Sequence, residues 1–125
     1  MKPSRLLLRL EAGIVNAKSV VEADCLRAER AAYLARLGRF EEVRAELDAL
    51  RARYDCRPNV KISVWLNLVE GLTIHSREMG QAARDKVLRA HALSGAAGLL
   101  QMRALSAGWL AHMDFLLAEI GRAHI

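Results

Sequence analysis

Histidine side chains could bind a metal ion or transfer protons, and this chain has four of them: His75, His91, His112 and His124. None lies three or four residues from another histidine, a cysteine or an aspartate, which is the spacing that places two ligands on one face of a helix. His112 and Asp114 are two residues apart and would point to different helix faces. The sequence therefore predicts no metal site.

The cysteines and serines also lack the neighbours that chemistry would need. Cys25 and Cys56 are isolated and form no Cys-x-x-Cys pair, so we expect two reduced thiols, each buried or half-buried. Ser76 and Ser94 are explained better as residues near helix ends than as nucleophiles, because the pattern supplies no activating base. An enzyme with its active site between helices would need a cluster of titratable groups that the sequence does not contain. We therefore predict no catalytic residue, no enzymatic activity and no cofactor.

The composition predicts an all-α protein with a single domain. Its 125 residues are enough for one modest core, and 53% of them are hydrophobic. Alanine, leucine, arginine and glutamate dominate and are strong helix formers, whereas the chain has only two prolines and few aromatic residues. The excess of arginine and alanine is typical of a protein from a GC-rich bacterium.

The net charge of +5 leaves nucleic-acid binding open as an alternative function. Charges of both signs are mixed through the middle of the chain, which is typical of solvated helix faces. Two groups of basic residues have few acidic neighbours: one lies in residues 2–9, and the other contains Arg84, Lys86 and Arg89. If these groups bound phosphates, the affinity would fall steeply with added salt.

The sequence predicts neither export nor a membrane span. The basic N-terminal residues are not followed by a long apolar stretch or a small-residue cleavage site, so we expect no secretory signal. The most apolar segment, residues 99–120, is long enough to cross a bilayer but contains Arg103, His112, Asp114 and Glu119. Each of these side chains is costly at membrane depth, and we predict a cytoplasmic protein without a membrane partner.

Apolar residues at spacings of three and four predict about six helices. The predicted helices occupy residues 3–18, 19–37, 40–54, 60–76, the segment between Gly80 and a flexible joint at residues 94–98, and residues 99–120. Ser19 and Glu22 form a capping box at the start of the second helix. The last helix is apolar on more than one side, so we expect it to need partners on two faces.

Three glycines recur at a nearly constant period. Gly38, Gly80 and Gly121 lie 42 and 41 residues apart, and residues 34–39 resemble residues 117–122. Such a period predicts a stack of helical hairpins, each of which buries its apolar face only against its neighbours. The predicted units of this single domain are a leading helix (1–18), a first repeat (19–57), a second repeat (58–97) and a truncated third repeat (98–125).

The repeat pattern stops where a third hairpin would need its second helix. Either the chain is a fragment of a longer array, or another copy of the chain covers the last helix. The second alternative predicts a homodimer through the last helix and a self-associating structural module.

Residues 31–43 resemble the centre of a tetratricopeptide repeat. In that family a small residue lies inside the first helix, a Gly-polar-aromatic turn joins the two helices, and a small residue opens the second helix. Ala31, residues 38–40 and Val43 match these positions. Gly71, Ala83, Val87 and Ala90 resemble a second repeat. The period is longer than the usual length of about 34 residues.

The resemblance implies a right-handed stack of antiparallel helical hairpins that binds a protein or peptide partner in a groove. That groove would be lined by the first helices of the pairs, in residues 21–37, 60–76 and 99–120. We predict seven partner-binding residues there: Arg36, Trp65, Asn67, Glu70, His75, Trp109 and His112. Core packing is the alternative role for the two tryptophans, and plain solvent exposure is the alternative for Glu70.

The predicted function is a non-catalytic protein-interaction or sensing module of a bacterial regulatory or signalling protein. Nucleic-acid binding around Arg84 and Arg89 and self-association through the last helix remain the alternatives.

Overall fold

Six α-helices follow one another in a computed structural model that describes residues 4–78 and 80–123. They are α1 (Arg5–Val15), α2 (Val20–Arg36), α3 (Phe40–Tyr54), α4 (Val60–Arg77), α5 (Gln81–Ala96) and α6 (Leu100–Ala123). These described residues contain no strand, so the predicted all-α class is confirmed. The observed bounds of α2, α3 and α4 differ from the predicted ones by one residue or less.

Side-chain caps begin two of the long helices. The Ser19 hydroxyl accepts a hydrogen bond of 3.1 Å from the N–H of Glu22, whose carboxylate accepts one of 2.8 Å from the backbone N–H of Lys18. The predicted capping box is therefore present, although its reciprocal bond reaches Lys18 rather than Ser19. Asn59 caps α4, because its side chain accepts hydrogen bonds from two N–H groups of the first turn.

The glycines of the predicted period differ in conformation. Gly38 follows α2 with a φ of 78°, in the left-handed region that favours glycine, and Gly98 follows α5 with a φ of 71°. Gly80 precedes α5 with an extended φ of 177°. Gly121 lies inside α6. The repeat pattern aligns Gly121 with the helix-ending Gly38, but α6 continues past Gly121 to Ala123.

The helix α5 also continues into the segment that the sequence predicts as a flexible joint. It ends at Ala96, and Ser94 within it is fully buried. The Ser94 hydroxyl donates a hydrogen bond of 2.8 Å to the carbonyl of His91. Because this bond satisfies the hydroxyl inside the helix, Ser94 does not need to leave it.

The helices α2 and α4 lie at the centre of the packing. α2 contacts α1, α3 and α4, whereas α4 contacts α2 and α5 extensively and α3 at few positions. α5 in turn contacts α6. Ala28, Ala32 and Ala35 of α2 are buried, and Ala31 and Leu34 on its other sides are buried as well. These small side chains allow three neighbouring helices to approach α2 closely.

A glycine sets the distance between α4 and α5. A Cβ atom at Gly71 would lie 2.7 Å from Cγ2 of Val87 and 3.1 Å from the carbonyl oxygen of Ala83. The structure therefore brings together residues that the resemblance assigns to a second repeat. No side chain larger than hydrogen fits at position 71 without a shift of α5.

A buried carboxylate joins α2 to the end of α3. Asp24 has no exposed surface, and its carboxylate accepts hydrogen bonds from Tyr54 (2.6 Å), Arg53 (2.7 Å) and Arg27 (2.7 Å). Burial alone would raise the pKa of Asp24, but the bonds from Tyr54, Arg53 and Arg27 outweigh it and lower this pKa. Burial and the bond to Asp24 raise the pKa of Tyr54 to about 12.

The two cysteines differ in exposure. Cys25 is half-buried, in agreement with the prediction, and burial raises the pKa of its thiol. Cys56 is exposed, so the prediction of a buried or half-buried thiol is wrong there. It lies in the turn between α3 and α4, where residues 55–58 are all exposed.

The last helix has three distinct faces. One packs against α5 through Ser106 and Met113, which are buried, and a second carries Leu105 and Trp109. The third, which we call the outer face of α6, is entirely exposed. It consists of Leu100, Ala104, Ala107, Ala111, Phe115 and Ala118.

Candidate partner-binding groove

One face each of α2, α4 and α6, together with Leu6 of α1, lines a groove made of three adjoining cavities. Their volumes are about 800 Å³, 230 Å³ and 450 Å³. Glu29 and Trp65 line both the first and the second cavity, whereas Arg36, Leu105 and Trp109 line both the second and the third. The shared walls make the three cavities one continuous surface, the α2–α4–α6 groove.

Helical spacing explains which side chains reach this groove. On α4, Trp65, Leu68 and Leu72 are three and four residues apart and therefore share one face. On α2, Glu29 and Arg36 share a face, since they are two turns apart. The middle of the groove is thus apolar along α4 and charged along α2.

Three aromatic rings meet at one end of the groove. The ring of Trp109 lies 6.3 Å from that of His75 and 5.8 Å from that of His112, in edge-to-face arrangements. The two imidazole rings are 6.1 Å apart. The guanidinium carbon of Arg36 lies over Trp109, 5.5 Å from the ring centroid.

The imidazole of His75 is held towards its neutral form. Burial lowers its pKa from the ordinary 6.5, and the charge of His112 lowers this pKa further. The aromatic end of the groove therefore resists protonation of His75, because burial and the nearby His112 both disfavour the charged imidazole.

Five of the seven predicted partner-binding residues come together at the groove. Arg36, Trp65, Trp109 and His112 line it, and His75 contacts the rings of Trp109 and His112. The tryptophans also pack against the core, which is the alternative role that the sequence left open for them.

Asn67 and Glu70 lie away from the groove, on other sides of α4. A helix turns by about 100° per residue, which places these two residues about 160° and 140° around the axis from Trp65. The Asn67 amide donates a hydrogen bond of 2.9 Å to the carbonyl of Ser63. The Glu70 carboxylate is ion-paired with Arg51 of α3 and Lys86 of α5, and is neither exposed nor in the groove.

Several groove residues were not among the predicted partner-binding residues, and Glu29, Leu68 and Leu105 are three of them. Leu68 and Leu105 could have been found from their spacing of three and four residues relative to Trp65 and Trp109. For Glu29 the available signal was its position seven residues, or two turns, before Arg36, on the same face of α2. Burial raises the pKa of the Glu29 carboxyl above its ordinary value.

Carboxylates of the protein neutralise most of the basic group formed by Arg84, Lys86 and Arg89. Arg84 is ion-paired with Asp114 at 2.6 Å, and Lys86 with Glu70 at 3.0 Å. Arg89 is exposed. Two of these three cations therefore have a carboxylate partner within the protein, which weakens the cluster as a phosphate-binding surface.

Residues 4–78 and 80–123 contain neither a side-chain cluster suited to a metal ion nor a helix suited to a membrane. No group of three or more histidine, cysteine, aspartate or glutamate residues there could hold a metal ion. In the same part of the chain, no helix combines the length and apolar character needed to cross a bilayer.

Comparisons of the chain with protein-family models, with curated proteins and with solved structures found no match. The resemblance to tetratricopeptide repeats therefore stays a prediction from residues 31–43.

Proposed function

We propose that this protein is a non-catalytic, tetratricopeptide-like helical-repeat module that binds a segment of a partner protein in the α2–α4–α6 groove. The observation that carries the proposal is the continuous groove with Trp65 and Trp109 on its walls. Such a module would serve as the partner-binding or sensing part of a bacterial regulatory protein.

The order of helix contacts supports the repeat architecture. In a stack of hairpins, the first helix of each pair packs on its own second helix and on the first helix of the next pair. α2 packs in this way on both α3 and α4, and α4 packs on α5. The pattern holds for the first two pairs only, because α6 packs on α5 and not extensively on α4. In this assignment α2, α4 and α6 are first helices, and these are the helices that line the groove.

The chemistry of the groove supports a protein segment as its occupant. Trp65 and Trp109 are half-buried, and tryptophan is enriched among the residues that contribute most to protein–protein affinity. Leu68, Leu72 and Leu105 add apolar surface between them. Arg36 supplies a polar rim, which fits an apolar segment whose ends remain solvated.

Two matched leucines allow a direct test. Leu105 lines the groove with 43% of its surface exposed, and Leu88 on α5 lies outside it with 42% exposed. A displayed library of random peptides of about 15 residues, long enough to form a marginal helix, supplies the probes. Peptides selected on the wild-type protein are then measured by fluorescence anisotropy against Leu105→Arg and Leu88→Arg.

We expect Leu105→Arg to weaken binding by about tenfold or more, because it places a charge in the apolar groove. Leu88→Arg adds the same charge to α5 and should retain the wild-type affinity. Equal affinity for the two variants would show that the groove is not the binding site.

Self-association through α6 is a second candidate, favoured by its outer face. Phe115 and Leu100 have 59% and 73% of their surface exposed, on a helix of 24 residues that is about 36 Å long. Alanines at positions 104, 107 and 111 lie between them and would let a second α6 approach closely. An antiparallel copy would place each Phe115 over Ala104 of its partner.

Sedimentation velocity tests this candidate with Phe115→Glu, a change outside the groove. We expect a dimer for the wild-type chain and a monomer for Phe115→Glu at the same concentration. A wild-type chain that remains monomeric at high concentration would exclude self-association without affecting the proposed peptide binding.

A further inference from the structure

One acidic side chain lies in the middle of the groove. Glu29 of α2 lines both the largest cavity and the central one, and Trp65 of α4 lines the same two cavities. The carboxylate is half-buried. Every fully buried side-chain oxygen among the described residues has a hydrogen-bond partner. The Glu29 oxygens accept no hydrogen bond from these residues. They are therefore not fully buried and remain accessible from the groove.

The Glu29 carboxylate also has no cationic partner in the described part of the chain. Within residues 4–78 and 80–123, no lysine, arginine or histidine nitrogen lies within 4.0 Å of it. Burial is the cause of its raised pKa, with no opposing contribution from a nearby positive charge. By contrast, the Asp24 and Glu70 carboxylates, which are also shielded, each have at least two cationic partners.

The other charged groups in the groove do not supply this cation. Arg36 lies in the central cavity, but its guanidinium is over Trp109. Lys61 and Glu22 line the largest cavity, and both are exposed. A cation brought by a partner would therefore meet an unpaired carboxylate beside an indole ring, which together favour a lysine or arginine side chain.

We propose that the α2–α4–α6 groove selects protein segments in which an arginine or lysine, placed among apolar residues, binds the Glu29 carboxylate beside Trp65. The apolar residues of the segment would cover Leu68 and Leu105, and its basic side chain would extend along Trp65 with its charge at Glu29. This specificity rests on the proposed function of the groove. Pairing in a site that the segment shields from water is stronger than pairing on an open surface.

The test uses pairs of peptides with one altered side chain. Peptides are selected on the wild-type protein from the random library, and each selected arginine is replaced by citrulline, which keeps the shape and removes the charge. A lysine is replaced by acetyl-lysine for the same purpose. Fluorescence anisotropy then gives the affinity of both peptides for the wild-type protein, Glu29→Gln and Glu22→Gln.

We expect the wild-type protein to bind the charged peptide about tenfold more tightly than its neutral counterpart. Glu29→Gln should bind both peptides equally. Glu22→Gln is the matched control, since it removes a second groove carboxylate while glutamine can still complete the capping box. It should keep the wild-type preference.

A measurement on the unaltered protein supplies an independent readout. The pKa of Glu29, followed by NMR of its carboxyl carbon, should lie above the ordinary 4.5 in the peptide-free protein. Binding of the charged peptide should lower this pKa, because a nearby cation favours the carboxylate. The citrulline peptide should not lower it.

The outcomes separate this inference from the proposed function. Two results would overturn the inference alone, provided that Leu105→Arg still weakens binding. One is that the selected peptides have no preferred basic position, and the other is that the charge preference survives in Glu29→Gln. A library that gives no peptide sensitive to Leu105→Arg would overturn both.

Discussion

The hydroxyl of Tyr54, the last residue of α3, donates a hydrogen bond of 2.6 Å to the fully buried carboxylate of Asp24 in α2. The guanidinium groups of Arg53 and Arg27 form ion pairs with the same carboxylate. The two guanidinium groups are 41% and 36% exposed, so the network extends from a dry carboxylate to hydrated cations. It ties the start of α2 to the end of α3 across their antiparallel pair.

The stability of the protein should therefore fall at acid pH. The folded protein binds the Asp24 proton less tightly than the unfolded chain, in which the ordinary pKa is 3.8. Its contribution to the free energy of unfolding is fully present above that value and is lost as the pH falls through the lower folded pKa. At neutral pH, Asp24→Asn should lower this free energy by about 1–3 kcal/mol, measured by urea denaturation.

The difference between wild type and Asp24→Asn should shrink as the pH falls below the ordinary pKa. Asp48→Asn is the control, because Asp48 is 68% exposed and pairs with Arg51 at 3.7 Å on the surface. Its effect should stay below about 1 kcal/mol. A constant difference across the acid range would contradict the lowered pKa of Asp24.

A second prediction concerns the close approach of α4 and α5. Gly71→Ala should lower the free energy of unfolding by about 1–3 kcal/mol, because the new Cβ would overlap Val87. Gly108→Ala in α6 is the control, since no atom lies within 4 Å of its added Cβ. It should raise stability by about 0.5–1 kcal/mol through the greater helix propensity of alanine. Equal effects at the two sites would mean that α5 moves away without cost.

A third prediction concerns the aromatic end of the groove. NMR titration of the His75 ring should give a pKa below 6.5, and His112→Gln should raise it by removing the nearby positive charge. The value should remain below 6.5, since burial is the larger cause. Arg89→Gln, at an exposed site on α5, should leave the pKa of His75 unchanged. A pKa of His75 unaffected by His112→Gln would show that the two rings do not interact electrostatically.

Local signals were sufficient to locate the helices. The serine cap of α2, the asparagine that precedes α4 and the apolar spacing of α3 depend on residues within one or two turns. Ser94 misled the prediction because serine and glycine favour loops in isolation, whereas packing against α4 and α6 keeps α5 helical there.

The site could be predicted only where one helix face carries large side chains. Trp65 and Trp109 stood out for this reason, and both line the groove. Glu70 was assigned wrongly to the groove side because α4 is buried on several sides, so its sequence does not mark one face. Two of the three partners of Asp24 lie 29 and 30 residues away, and the partners of Glu70 lie at least 16 residues away, which no local spacing reveals.

A fourth prediction distinguishes the glycines whose spacing suggested a repeat. Gly38→Ala should lower the free energy of unfolding by about 1–2 kcal/mol, because alanine is strained at a φ of 78°. Gly80→Ala should cost nothing or stabilise by about 0.4–1 kcal/mol, since its φ of 177° suits any residue and alanine restricts the unfolded chain. Neither position has an atom within 4 Å of the added Cβ, so the comparison isolates backbone strain.

Gly98→Ala serves as the positive control for this comparison, because Gly98 has a φ of 71° and also has open space around it. It should match the loss at Gly38 in thermal and urea unfolding. If Gly80→Ala instead destabilised the protein as much as Gly38→Ala, the two glycines would have the same structural role, and the sequence period would reflect a shared helix-ending conformation after all.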